Sequence, residues 1–169
     1  MQTIKLTRWC KISLVAAVAG FAWLVAYNNV VDYGSNFAFV QHVLTMDTTF
    51  EGNQLTGRAI TNPTLHHAAY ALIIVAEAAV GLLCSVGAVL LWRQLNATNG
   101  EFNAAKGVAT CGLVLGILLW FGGFMTVGAE WFLMWQSQIW NGQQPAFRFA
   151  MVLFACLLFL HQQEPQSEP

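Results

Sequence analysis

The chain has 169 residues, of which 57% are hydrophobic and 9% charged, with a formal net charge of −1. A soluble domain carries about 25% charged residues, so charges this sparse exclude a soluble globular domain and a disordered chain. The near-neutral balance also gives no field to gather nucleic acid, and the composition points to an integral membrane protein.

The first apolar run, about residues 12–31, follows the basic residues Lys5, Arg8 and Lys11. A basic stretch before an apolar run is the pattern of a signal peptide. This run is long enough to span a bilayer, however, and no small-residue cleavage site follows it, so it reads as an uncleaved first span. The segment from about residue 32 to 66 is too long for a turn. Phe37, Val40 and Leu44 recur in it at helical spacing behind Ser35 and Asn36, which can cap a helix. This spacing predicts a short interfacial helix, followed by a polar loop over 48–61.

The second span is predicted over about 68–92, with Asn62 as N-cap and Pro63 as first helical residue. Asn99-Gly100 marks a turn, and the third span follows over about 108–131. The fourth, about 146–161 behind Pro145, is short at about 24 Å, given a rise of about 1.5 Å per residue. Arg148 near its start would have to snorkel to the interface. Residues 162–169, QQEPQSEP, read as a disordered tail. The expectation is one all-α domain over 1–161, a four-helix transmembrane bundle with a short interfacial helix in the first external loop.

Lys5, Arg8, Lys11, Arg93 and Lys106 fall on one side of this topology, and Arg58 and Arg148 on the other. The positive-inside rule therefore puts both termini in the cytoplasm. Trp9 and Trp92 then belong to the inner interface, and Trp131, Trp135 and Trp140 to the outer one. Trp23 and Trp120 lie deeper, where they pack between helices. Cys10, Cys84, Cys111 and Cys156 show no paired metal or redox spacing and read as small apolar residues.

Glu77 is the sharpest anomaly, a carboxylate well inside the second span. An ionised, unpaired carboxylate there costs about 3 kcal/mol or more, so it must face the bundle, a water path or a partner. At helical spacing His66, Tyr70, Glu77, Gly81, Cys84 and Ala88 share its face. Glu77 with Tyr70 is thus an intramembrane polar site: a proton or cation site, a hydrogen-bonding link between helices, or a pairing point for another subunit. In the third span Gly112, Gly116, Leu119, Gly123, Thr126 and Glu130 form a facing stripe that begins with a small-xxx-small pair. Antiparallel packing of the two small faces would bring Glu130 toward His66 and His67.

The external side then collects His42, Asp47, Arg58, His66, His67, Glu130 and Arg148, with Glu51 in the same loop. This cluster reads as a network holding the long loop to the helix ends, or as a site for a lipid head group or small solute. A zinc or copper site built from His42, His66, His67 and Glu130 is a further reading, although no ligand spacing ties them together. A haem would need two facing His at one depth; His161 at the inner end and His66 and His67 at the outer end argue against it and leave only a site built with His42. The Trp- and Gln-rich stretch 130–144 suits either an interfacial helix end or stacking on a sugar or head group.

Three stretches carry a resemblance: Tyr33-Gly34-Ser35-Asn36-Phe37, Phe39–Phe50 and Arg58-Ala59-Ile60. Gly128–Gln138, Trp140-Asn141-Gly142-Gln143 and Ala146-Phe147-Arg148-Phe149 extend it over nearly the whole chain. Together they resemble a bacterial family of predicted small integral membrane proteins of unknown function. The resemblance implies a four-span bacterial inner-membrane protein and assigns no activity and no cofactor.

No phosphate-binding loop, serine-nucleophile elbow or kinase signature is present. The leading expectation is a non-catalytic accessory or scaffolding subunit, in contact with the lipid bilayer and with a larger membrane protein or further copies of itself, and with no nucleic-acid partner. The alternatives are a small-solute, proton or cation transporter working through Glu77, and a metal- or redox-dependent membrane protein using His42, Asp47, His66, His67 and Glu130.

Overall fold

A computed structural model describes residues 2–164. Its helices are α1 (Gln2–Val31), α2 (Tyr33–Thr45), α3 (Pro63–Arg93), α4 (Asn99–Ala104), α5 (Gly107–Ile117) and α6 (Gln143–His161), with a π-helical segment over Leu118–Trp131. Four spans are long and apolar enough to cross a membrane: Ile4–Val31, Pro63–Arg93, Asn99–Trp131 and Gln143–His161. The all-α four-span bundle is therefore as expected, and the spans extend beyond the apolar runs that mark them. The core joins α1, α3, α5 and α6 through Val15, Ala22, Val80, Leu113 and Leu153.

The first span starts earlier than its apolar run because the basic residues before it are engaged. Arg8 donates to the carbonyls of Leu95 at 2.9 Å and Ala97 at 2.7 Å, and to Asn99 Oδ1 at 2.7 Å. A cation thereby satisfies the acceptors just past the end of α3. At its other end α1 is interrupted at Asp32, and α2 follows at once and packs against α3. Asp32, not Ser35 or Asn36, is the N-cap of α2, and it makes no side-chain cap bond. The interfacial helix itself stands, with Val40 and Val43 buried beneath it.

Helix α3 begins as the sequence predicts: Asn62 Oδ1 accepts from the Thr64 amide at 2.9 Å, and Pro63 follows it. Its small-residue face meets α5 closely. A Cβ on Gly87 would stand 2.6 Å from Ala109 Cα, and one on Gly112 2.7 Å from Cys84 Sγ. Close approach of this kind is what small residues permit between membrane helices. The turn between these spans lies before Asn99-Gly100 and not at it. Thr98 caps α4 reciprocally with Glu101, so Asn99 and Gly100 are already helical.

The third span changes its winding at Leu118. Within the π segment Thr126 Oγ1 donates to Phe121 O at 3.1 Å, and at its end the Phe132 amide reaches Val127 O at 3.0 Å, both spanning five residues. The changed period ends the stripe predicted from α-helical spacing. Gly112 and Gly116 are buried, whereas Gly123, Thr126 and Glu130 are exposed. The π segment also parts from α3, leaving an apolar cavity of about 290 Å³ under α2, lined by Val40, Val43, Ile73 and Phe124 among others.

The tail expected from residue 162 departs from that reading at Glu164, which is buried among Arg8, Lys11 and Lys106. Charge complementarity seats this residue despite its polar neighbourhood. Residues 165–169 of the expected tail lie outside the described residues.

Candidate functional site

The polar face predicted on α3 is buried along its whole length: His66, Tyr70, Glu77, Gly81, Cys84 and Ala88. Asn29 of α1 organises its centre. Asn29 Nδ2 donates to Glu77 Oε2 at 2.7 Å, and the Tyr70 hydroxyl donates to Asn29 O at 2.9 Å. Glu77 and Tyr70 thus share one partner on the neighbouring helix. One helical layer further along, Trp23 lies against Gly81, and its indole donates to Ser85 Oγ at 3.2 Å. Trp120 is buried, as expected, while Trp23 is half exposed.

The residues expected on the external side form separate local pairs, not one constellation. His42 Nδ1 bonds Asp47 Oδ2 at 2.7 Å, and its ring stacks on Trp140 with centroids 4.6 Å apart. His67 Nδ1 bonds the Tyr33 hydroxyl at 2.7 Å and stacks on Phe37 at 4.1 Å. His66 is buried, with Nε2 on Ile60 O at 2.7 Å and Nδ1 without a partner. Arg58 donates to Trp131 O at 3.2 Å and lies 4.4 Å from the centre of its indole ring. Arg148 reaches Gln144 Oε1 of its own helix at 3.4 Å. Glu130 is exposed, since the π winding turns it away from the α3 face that carries His66 and His67. Among the described residues no group of three or more His, Cys, Asp or Glu is placed to hold a metal.

These pairs tie the chain into a cap over one end of the bundle. Ile60 N bonds Leu44 O at 2.8 Å, Thr48 Oγ1 bonds Ser137 Oγ at 2.9 Å, and Phe50 N bonds Gln136 Oε1 at 3.0 Å. Beneath them Val43, Met46, Ala129, Phe132, Leu133 and Met134 make a small core of their own. Met46 and Leu133 hold left-handed backbone there, at φ 54° and 55°. Conformations of this kind cost non-glycine residues about 1–3 kcal/mol and persist only where packing holds them.

The chain matches, over residues 7–163, the family described as predicted small integral membrane protein (DUF2165). It belongs to that family. No curated protein and no solved structure matches it. Family membership agrees with the four-span fold and brings no chemistry with it, so the residues have to speak for themselves.

Two features escape a reading from spacing alone. Asn29 could have been found as a polar residue inside an apolar run, part of Asn28-Asn29. The cluster of Arg8, Lys11, Lys106 and Glu164 joins positions far apart in the chain, and local pattern carries no signal for it.

Proposed function

We infer that the protein is a non-catalytic accessory or scaffolding subunit of the bacterial inner membrane that uses its cap to pack against a larger membrane protein. One observation carries this reading. Several polar side chains of the cap hold it together, and it presents apolar ones: Phe50, Trp131, Trp135 and Ile139 are 53%, 53%, 42% and 76% exposed. A rigid surface of exposed aromatic and aliphatic groups suits recognition by contact. The excess of Lys and Arg at the opposite end supports cytoplasmic termini and an external cap. Native mass spectrometry after gentle extraction tests it. The expected result is flight with a larger protein in fixed ratio, lost in Trp135→Ser/Ile139→Ser. A bare monomer, or one carrying lipid only, would overturn it.

A second reading, ion passage through Glu77, has one observation on its side: a carboxyl group is buried inside the second span, 2% exposed. Flux into proteoliposomes that Glu77→Gln abolishes would support it. Absence of flux, or equal flux in the variant, would remove it.

A further inference from the structure

At the end of the bundle where α1 starts and α6 ends, three cations from two spans converge on one carboxylate. Lys11 Nζ and Lys106 Nζ both donate to Glu164 Oε1, Lys106 at 3.2 Å. Arg8 Nε stands 3.8 Å from Glu164 Oε2, and these two buried atoms have no hydrogen-bond partner. Arg8 is 3%, Lys11 1%, Lys106 4% and Glu164 7% exposed. Among the described residues three positive charges meet one negative here, an arrangement that desolvation penalises heavily. A cleft of about 400 Å³ lined by Lys5, Arg8 and the turn Leu95–Asn99 reaches the cluster at Arg8.

The carboxylate fits this cradle poorly in both shape and charge. One of its oxygens serves both lysines, and the other falls short of Arg8. A tetrahedral phosphate monoester has three free oxygens, one for each cation, and carries a charge of about −1.5 to −2 at pH 7. Basic pockets between membrane helices take phosphate-bearing lipid head groups.

We propose that Arg8, Lys11 and Lys106 form a binding site for a phosphate monoester, and that Glu164 is the chain's own group occupying it. The phosphate can come from a lipid, as in phosphatidic acid, or from inorganic phosphate in water. Binding releases Glu164 and with it the segment after α6, whose backbone Lys11 holds through Gln162 O at 2.7 Å.

The test uses the full chain in detergent with a nitroxide at Gln163→Cys, in a background where Cys10 and Cys111 are alanine. Phosphatidic acid, phosphatidylglycerol, phosphatidylcholine and inorganic phosphate are added in turn. The expected result is that a monoester mobilises the label. Response to phosphatidic acid alone assigns the lipid, and response to inorganic phosphate assigns the free ion. In Glu164→Gln, phosphatidic acid should bind at least tenfold more tightly by native mass spectrometry. If that variant fails to fold, the label experiment on the native carboxylate stands by itself. No mobilisation by any probe, or equal mobilisation by phosphatidylglycerol or phosphatidylcholine, overturns the proposal.

Discussion

Asn29 and Glu77 lie 48 positions apart in the chain and meet at 2.7 Å between α1 and α3. The same asparagine receives the Tyr70 hydroxyl on its carbonyl oxygen. One residue of the first span therefore fixes two residues of the second, and sets the register of the two helices.

This register predicts a measurable coupling. Hydrogen bonds between membrane helices average about 0.6 kcal/mol, with a maximum near 1.7. A double-mutant cycle of Asn29→Ala and Glu77→Ala, read by unfolding in sodium dodecyl sulfate, should return a coupling energy in that range. Glu77→Gln keeps an acceptor for Asn29 and should therefore retain most of the coupling that Glu77→Ala loses. A coupling of zero would mean that packing alone sets the register.

Close approach between α3 and α5 gives a second expectation. The Cβ of Gly87→Ala would meet backbone atoms of Ala109 at 2.6 Å, and backbone cannot swing aside as a side-chain tip can. The substitution should lower stability by about 1–3 kcal/mol, the usual penalty for overpacking. Gly20 is the control, because nothing lies within 4 Å of its added Cβ. There Gly20→Ala should be neutral or stabilising by up to about 1 kcal/mol through helix propensity. Equal effects at the two positions in the same unfolding assay would contradict the packing account.

How much of this was legible in the sequence follows from where each interaction lies along the chain. Apolar runs announce spans because lipid accepts little else, and Asn62-Pro63 starts α3 through purely local bonds. The buried face from His66 to Ala88 was legible because α3 keeps a single period throughout. The stripe in the third span was legible only as far as Gly116, since the change of winding at Leu118 rotates everything after it. Composition does not reveal that change. The pairings of the residues expected outside carry no spacing signal, because His42 with Trp140 and His67 with Tyr33 each join separate segments. Glu164 was hidden among polar neighbours because its partners come from α1 and from the start of the third span.

Met46 tests which of two opposed effects governs the cap. Its left-handed backbone would suit glycine, and Met46→Gly should regain about 1–2 kcal/mol on that account. The side chain, however, is 4% exposed within the cap core, and deleting a buried side chain of this size costs about 2–5 kcal/mol. Burial wins, so Met46→Gly should destabilise the cap. Limited proteolysis in the loop Glu51–Gln54 should become faster while the spans stay intact. A more protected loop would show that strain, not packing, dominates there.

The side on which the cap sits is the remaining expectation, and the charges decide its direction. Four spans put both termini at one end. Lys5, Arg8, Lys11, Arg93 and Lys106 share that end, whereas Arg58 and Arg148 lie at the cap. Orientation follows the Lys and Arg bias near span ends, because moving cationic segments outward is disfavoured. An epitope inserted after the exposed Gln54 should therefore be open to antibody in intact spheroplasts, and one at the N-terminus only after permeabilisation. The opposite pattern would turn Trp135 and Ile139 toward the cytoplasm. The search for a protein that docks on the cap would then move to that side, and the phosphate site would face outward, beyond the reach of cytoplasmic monoesters.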